Sequence, residues 1–365
     1  MYHRLNVPVK GLNNLYLHVT FACPLRCTHC YAQAGQQQHD ALSVDDVIHA
    51  CQEASELGFR HAVITGGEPL VHPQRDQLLD ALADIRGQIK PLLTVLRTSF
   101  ALPFDDDLLR RIGNSTDEVV VSVDGDRETH DKRRGAGNYD LVIEHLRKLA
   151  KMGYHTDLSL ATVLPLRLAN GVAGDAVRAL AKELGIRRTR FRPVLPLGRA
   201  REGEPDIVPE TLWGHVNPSE MIAYGFSPMN SCGMGQNLYV EPDGNAYSCY
   251  AWHGKQWILG NITSGAGIPG VINSAKFQEL GWHTVNTNQQ CKQCALRYLC
   301  GGACRAWNRQ ADTIQNNLDA PPIDCSPLHA RARSLLFSAL DYLALPPERW
   351  FAAGLPLPDS PAEIY

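Results

Sequence analysis

The chain has 365 residues, more than a single hydrophobic core of roughly 250 residues usually holds, so two regions are expected. No stretch approaches the ~18 consecutive apolar residues of a transmembrane helix, and the N-terminus leads into no signal-peptide core. The formal net charge is -3 and no long basic cluster occurs, which argues against a nucleic-acid surface. The composition predicts a cytoplasmic protein without membrane association.

Runs rich in β-branched and aromatic residues alternate with helical patterns over the first 200 residues, which predicts parallel βα units. The predicted strands cover 15–20, 61–65, 92–98, 118–123, 156–163 and 188–194. The predicted helices cover 44–57, 74–86, 105–112, 139–152 and 175–184. Ser43 with Asp46 is a predicted capping pair for the first helix, and Gly58, Gly153 and Gly185 stand where helices should end.

Six such units predict an α/β fold built as a partial (β/α)6 TIM barrel, although an open doubly wound sheet would give the same pattern. In both arrangements the chemistry is expected at the C-terminal ends of the strands. The barrel is predicted for 1–197, a connector for 198–231, a small cysteine-rich domain for 232–325, and a C-terminal helix and tail for 326–365.

The chain contains eleven cysteines. A cytosolic protein keeps its thiols reduced, so metal ligands are a better interpretation than disulfides. Three cysteines follow the first predicted strand within eight residues, and seven lie between Cys232 and Cys325. Cys51 stands alone on the apolar stripe of the first predicted helix, where we expect a small core residue.

The first three cysteines are Cys23, Cys27 and Cys30, and three ligands are an incomplete set for a structural zinc ion. Such a site normally has four nitrogen or sulfur ligands, whereas a [4Fe–4S] cluster held by three cysteines leaves one iron open. His29 could complete a zinc site by folding back on its own loop. The spacing therefore favours the cluster and leaves zinc as an alternative.

This C-x3-C-x2-C motif resembles the signature of the radical S-adenosylmethionine (SAM) superfamily. The resemblance implies that the open iron binds SAM, whose reductive cleavage gives a 5′-deoxyadenosyl radical. Gly66, Gly67, Glu68 and Pro69 follow the second predicted strand and resemble the family's GGEP segment, which binds the methionine amino group of SAM. A plain βα turn is the alternative.

Other candidate SAM contacts follow later strands. Ser122 and Asp124 match the family's ribose-contacting position, and Arg134 is a candidate partner for the SAM carboxylate. An aspartate at a strand end also occurs in solvated loops, which is the alternative for Asp124. Thr98 is a further candidate, but its strand ends Thr-Ser-Phe instead of the family's Thr-Asn-Gly, so its role stays open. No catalytic acid or base is assigned.

The seven later cysteines resemble a complete SPASM domain, which carries two auxiliary [4Fe–4S] clusters and brings the expected total to three. The resemblance implies an outer cluster held by Cys291, Cys294, Cys300 and Cys325. It implies an inner cluster held by Cys232, Cys249 and Cys304, which is one ligand short. A four-cysteine zinc ribbon formed by positions 291, 294, 300 and 304 is the alternative, but it would leave the other three cysteines unexplained.

Enzymes with a SPASM domain mostly modify ribosomally made peptides. The resemblance therefore implies a peptide maturase that abstracts hydrogen from carbon of a precursor peptide and gives a crosslink, a backbone excision or a decarboxylation. Because the first cluster begins at Cys23, we expect leader recognition from a separate RRE-type protein, and electrons from a reductase such as flavodoxin or ferredoxin. A sulfatase maturase that forms formylglycine and a non-catalytic electron-transfer protein are the alternatives.

Overall fold

The computed structural model describes residues 12–37, 39–153, 156–192, 194, 197–200, 234–252, 254–281, 283–297, 302, 325–326 and 329. They belong to two compact units, the larger of which lies within Leu12–His215 and Gln236–Phe277. The described residues outside these ranges belong to the smaller unit. Within the described parts of the chain, no helix has the length and apolar character needed to cross a bilayer.

The larger unit is built on parallel strands that follow one another across a sheet in chain order. All six predicted strands are confirmed, each to within two residues at either end. They form a partial, barrel-like α/β sheet. The strands are β1 (Asn14–Thr20), β2 (His61–Gly66), β3 (Leu93–Thr98), β4 (Glu118–Ser122), β5 (Asp157–Val163) and β6 (Arg188–Arg192).

Helices connect the strands, and the five predicted helices are confirmed with shifts of up to three residues at their ends. Among the helices that lie between these six strands, two were not predicted, because α4 consists of charged and polar residues and α6 has only four residues. Neither has an apolar stripe long enough to detect. The helices are α1 (Val44–Glu56), α2 (Arg75–Ile85), α3 (Asp106–Ser115), α4 (Arg127–Arg134), α5 (Asn138–Met152), α6 (Leu166–Ala169) and α7 (Val172–Glu183).

Local sequence signals set several helix ends. The Asp46 backbone N–H donates to Ser43 Oγ at 3.1 Å, and this hydroxyl donates to Asp46 Oδ2 at 2.6 Å, which confirms the predicted capping pair. The three predicted helix-ending glycines, at 58, 153 and 185, have φ angles of +81°, +67° and +67°. Glycine adopts this left-handed conformation without the strain that a Cβ atom would cause.

Three short strands extend the sheet beyond β1: β7 (Leu238–Val240), β8 (Asn245–Tyr247) and β9 (Gly260–Asn261). β7 runs parallel to β1, with Leu15 opposite Leu238 and Leu17 opposite Val240, whereas β8 and β9 are antiparallel. Two short helices follow, α8 (Gly267–Ile272) and α9 (Ala275–Leu280). Strands of two or three residues carry too little periodicity to be predicted, and the predicted domain boundaries stay predictions.

The two faces of β1 differ in character. Leu15, Leu17 and Val19 are completely buried on one face. On the other face, Tyr16 packs against an apolar cluster formed by Val63, Val95 and Val120 of the next three strands. This cluster lies on one face of the sheet. The polar groups nearer the C-terminal strand ends therefore lie next to apolar side chains.

Candidate functional site

The loop that follows β1 carries the first three cysteines. Cys23 and Cys27 are each 8% exposed, and Cys30 is partly buried. The Cys23 N–H donates to Gly35 O at 3.2 Å, and the Cys30 N–H donates to Cys27 O at 3.3 Å. Burial raises the pKa of Cys23 to about 12, with contributions from Glu68 and from the other two thiols. All three thiols belong to this one loop.

Gly198 and Arg199 hold this loop from beyond β6. Arg199 Nε donates to Cys27 O at 2.8 Å, and Nη1 donates to Ala34 O at 3.0 Å. At Gly198, which has a φ of +54°, a Cβ atom would stand 2.3 Å from Cys30 O. The sequence pattern gave this pair no contact, because only the folded chain shows which carbonyl groups it meets.

The paired glycines after β2 support the same loop. A Cβ atom at Gly66 would lie 2.2 Å from Thr20 O, and one at Gly67 would lie 2.3 Å from Ala22 O. The Gly67 N–H donates to Thr20 O at 2.7 Å. Any larger side chain at either position would displace backbone, so these glycines allow the GGEP turn to pack directly against the start of the cysteine loop.

Glu68 is 1% exposed and its carboxylate accepts four hydrogen bonds. Oε1 accepts from Thr98 Oγ1 at 2.8 Å and from the Leu70 N–H at 3.1 Å, and Oε2 accepts from the N–H and Oγ of Ser99 at 2.7 and 2.5 Å. Burial raises the pKa of Glu68, and these hydrogen bonds oppose the increase. Thr98 and Ser99 thus bind the GGEP glutamate, and buried Pro69 begins the turn that follows it.

Asp124 and Arg134 form an ion pair beneath the cysteine loop. Arg134 Nε donates to Asp124 Oδ2 at 2.7 Å, and the Val163 N–H donates to Oδ1 at 2.8 Å. His29 Nε2 of the cysteine loop stands 3.3 Å from Asp124 Oδ2. Burial alone would raise the pKa of Asp124, but Arg134 and His29 hold it well below its usual value. Ser122 is partly buried at the end of β4.

The donor chemistry of this loop fits an iron–sulfur cluster. Burial raises the pKa of Cys27, while the positive charges of Arg134 and Arg199 oppose the increase and so favour the thiolate that binds metal. Among the described residues, no three His, Cys, Asp or Glu side chains are arranged to hold a single metal ion. A [4Fe–4S] cluster would bind each thiolate through a different iron, and zinc stays the alternative.

A group of aromatic rings joins this loop to the loop after β8, which carries Cys249. Tyr31 directly follows Cys30, Tyr250 directly follows Cys249, and their ring centroids are 4.6 Å apart. Tyr31 is also held by His18, whose Nε2 is 2.7 Å from its hydroxyl oxygen. The rings keep two cysteine-bearing loops of the larger unit side by side.

Among the described residues of the smaller unit are three of the four predicted ligands of the outer cluster. Cys291, Cys294 and Cys325 line one cavity of about 420 Å³. His329, which the sequence analysis did not select, lines the same cavity with Nε2 at 3.4 Å from Cys294 Sγ. Three predicted ligands lie outside the described residues: Cys232, Cys300 and Cys304. Cys51 is completely buried in α1, as predicted.

Comparison with known protein families agrees with this geometry. The model of the radical SAM superfamily matches residues 17–166, and the model of the SPASM iron–sulfur cluster-binding domain matches residues 232–295. The chain therefore contains a radical SAM domain and a SPASM domain. It is a SAM-dependent enzyme with iron–sulfur clusters.

Two of the similar proteins are named as a maturase or a maturation protein. The chain is 27% identical over 316 residues to the mycofactocin maturase MftC of Mycobacterium tuberculosis H37Rv, covering 79% of this chain and 77% of MftC. It is 27% identical over 192 residues to the sporulation killing factor maturation protein SkfB of Bacillus subtilis, covering 51% of this chain and 44% of SkfB.

Two solved structures share the fold. AnSMEcpe with bound AdoMet matches with a TM-score of 0.67 and 19% identity, covering 94% of this chain and 98% of that one. Streptococcus suis SuiB bound to S-adenosylmethionine matches with a TM-score of 0.63 and 14% identity, covering 86% of this chain and 79% of SuiB. At these identities the likeness concerns the fold alone.

Proposed function

We propose that this enzyme is a peptide maturase that abstracts hydrogen from carbon of a ribosomally made precursor peptide and releases an oxidised product: a crosslinked, backbone-excised or decarboxylated peptide. One observation carries the proposal, namely the 4.6 Å ring contact that holds the Cys249 loop beside the Cys30 loop. An auxiliary cluster next to the site of radical formation suits a reaction that must remove a second electron. The similarity to mycofactocin maturase supports a peptide substrate.

We assign three [4Fe–4S] clusters to the chain. When bound, SAM and the cluster at Cys23, Cys27 and Cys30 would supply hydrogen abstraction. The protein holds the loop of these three cysteines in place. It does so through the hydrogen bond that Arg199 donates to Cys27 O and through the close packing of Gly67 against Ala22 O. We also assign the two auxiliary cysteine sets predicted from the SPASM resemblance, with a fourth ligand of the inner cluster that is not one of those cysteines.

The network around Glu68 and Asp124 changes what these residues are expected to do. All four lone-pair positions of the Glu68 carboxylate are occupied by Thr98, Ser99 and Leu70, so its main effect is to fix the ends of β2 and β3. The proposed SAM-binding surface then consists of the GGEP backbone, Ser122 and the edge of the Asp124 site. Arg134 contributes by holding Asp124 in place.

We also propose three partners: the precursor peptide, a separate leader-binding protein of the RRE type, and a flavodoxin or ferredoxin that supplies electrons. A cytoplasmic location suits oxygen-sensitive clusters and low-potential reductants. Identification of the chain as an enzyme leaves the electron-carrier alternative without support. The sulfatase-maturase alternative stays a prediction that the experiment below addresses.

The test is anaerobic co-expression with short precursor peptides encoded beside the gene, followed by mass spectrometry of the peptide. We expect a mass change that requires SAM, and about 12 iron atoms per chain after reconstitution, four for each cluster. Cys27→Ala serves as the control that lacks one predicted ligand. Production of 5′-deoxyadenosine with an unchanged precursor, but with formylglycine in a cysteine-containing sulfatase peptide, would support the sulfatase alternative instead.

A further inference from the structure

Arg97 lies on the inner face of the barrel, one residue before the end of β3. Its Cα pairs with that of Val120, and it follows Val95 by two positions, so its side chain shares their face of the sheet. Val95 and Val120 belong to the apolar cluster described above. The Arg97 guanidinium carbon stands 5.4 Å from the centroid of the Tyr16 ring, which packs against that cluster.

Within the described parts of the chain, Arg97 makes no hydrogen bond and no ion pair, and its Nε is buried without an acceptor. A buried guanidinium N–H without a partner is costly, and a cation–π contact replaces only part of the lost hydration. Among the described residues, Arg97 is thus a partly buried cation whose Nε has no hydrogen-bond acceptor.

Three carboxylates of the barrel are already engaged by other groups. Glu118 accepts from Arg190 Nη1 at 2.7 Å, and Asp124 accepts from Arg134 Nε at 2.7 Å. Glu68 accepts four hydrogen bonds from β3 and its own turn, as described above. The arginine that the sequence analysis selected for a carboxylate, Arg134, is thus neutralised by the protein.

Arg97 also lies close to the cysteine loop. The Tyr16 ring beside its guanidinium stacks on the ring of Tyr239, with centroids 4.4 Å apart. Tyr239 in turn contacts Tyr250, whose ring lies 4.6 Å from that of Tyr31, the residue that follows Cys30. A ligand at the C-terminal ends of the strands would therefore meet the cysteine loop and this guanidinium together.

We propose that Arg97 binds a carboxylate of a ligand held in the mouth of the barrel. Two ligands could supply that group: SAM, through its methionine carboxylate, or the peptide, through its C-terminus or an acidic side chain. The peptide source rests on the proposed function above, and the SAM source does not. In both cases the planar guanidinium offers two parallel N–H donors to one carboxylate.

The test measures binding to the reconstituted holoenzyme under anaerobic conditions, without turnover. Calorimetry compares SAM with its decarboxylated analogue in the wild type, Arg97→Gln and Arg97→Lys. Ligand-observed NMR then compares benzoate with benzamide in the presence of saturating SAM, so that a simple carboxylate stands in for the peptide. Arg110→Gln, at an exposed arginine on α3, is the matched control. Thermal unfolding checks that each variant folds.

If the carboxylate is that of SAM, Arg97→Gln weakens SAM binding roughly 10- to 100-fold, the span expected for a hydrogen bond between charged groups. The decarboxylated analogue then binds weakly to the wild type and loses nothing further in the variant. If the carboxylate belongs to the peptide, SAM binding is unchanged, and benzoate binding falls in Arg97→Gln and is partly restored in Arg97→Lys. Benzamide is unaffected.

The proposal is overturned if neither SAM nor benzoate distinguishes Arg97→Gln from Arg110→Gln. If Arg97→Gln does not fold, the wild type and Arg97→Lys are compared instead. The proposal is then overturned if both proteins bind SAM and its decarboxylated analogue with equal affinity and also bind benzoate and benzamide with equal affinity. Failure of the proposed function has a different signature, namely an unmodified precursor peptide, and these binding measurements use no precursor.

Discussion

Replacing Asp124 with asparagine removes one negative charge from a site where the side chain is completely buried. Arg134, also buried, then keeps a positive charge without the carboxylate that lies 2.7 Å from its Nε. The amide oxygen of the introduced asparagine can still accept from the Val163 N–H, but an amide group cannot neutralise the guanidinium. Breaking a buried pair from one side typically costs about 3–5 kcal/mol, whereas removing both charges is often close to neutral.

We therefore expect Asp124→Asn to lower the free energy of unfolding by about 3–5 kcal/mol, and the double variant Asp124→Asn with Arg134→Met to recover most of it. The pKa of folded Asp124 lies below its usual value, so the stabilisation is fully present above the unfolded pKa of about 4 and decreases as the pH falls below it. Asp124→Asn should lack this acid-dependent component.

Urea denaturation of the apo protein at pH 7, followed by circular dichroism, measures the loss, and a pH series measures its acid dependence. Asp107→Asn is the control, because Asp107 pairs with Arg110 on the surface and both side chains are more than half exposed. Exposed pairs of this kind contribute little. Equal midpoints for Asp124→Asn and Asp107→Asn would refute the reasoning.

Three further predictions concern the cysteine loop and its supports. Gly67→Ala should reduce the iron content after reconstitution, because the added Cβ atom meets Ala22 O. Gly87→Ala is the control, since the space around Gly87 is open and the iron content should not change. Equal iron contents in the two variants would contradict this prediction. Cys51→Ala should retain the wild-type iron content and yield of 5′-deoxyadenosine, both of which Cys27→Ala should lose. Glu68→Gln turns an NH2 group toward donors of Thr98 or Ser99 and should lower the free energy of unfolding by about 1–3 kcal/mol. An unchanged urea midpoint would count against the network.

The barrel could be predicted because each element carries its own signal over enough residues. β1 alternates Leu15, Leu17 and Val19 on one face with polar and aromatic residues on the other, and α1 begins at a capping pair. The cysteine ligand sets came from the spacing together with the family resemblance, and they stay predictions. By contrast, β7, β8 and β9 are two or three residues long, so only their pairing partners in the folded chain define them.

Side-chain partners at the site could not be predicted for a different reason. Glu68 and Ser99 are 31 positions apart, and Arg199 meets the backbone of Cys27 across 172 positions. No local pattern encodes such contacts, because they depend on the twist and register of the whole sheet. Arg97 stands out only in the structure, where it makes no hydrogen bond or ion pair with any described residue.

The pairing of β7 with β1 has a consequence for the spacing of the two cysteine loops. Leu15 lies opposite Leu238 and Leu17 opposite Val240, so the register of these two strands fixes where the Cys249 hairpin begins relative to the first cysteine loop. The distance between the Cys30 loop and the Cys249 loop is therefore a property of the central sheet, and it can change only if the strand register changes.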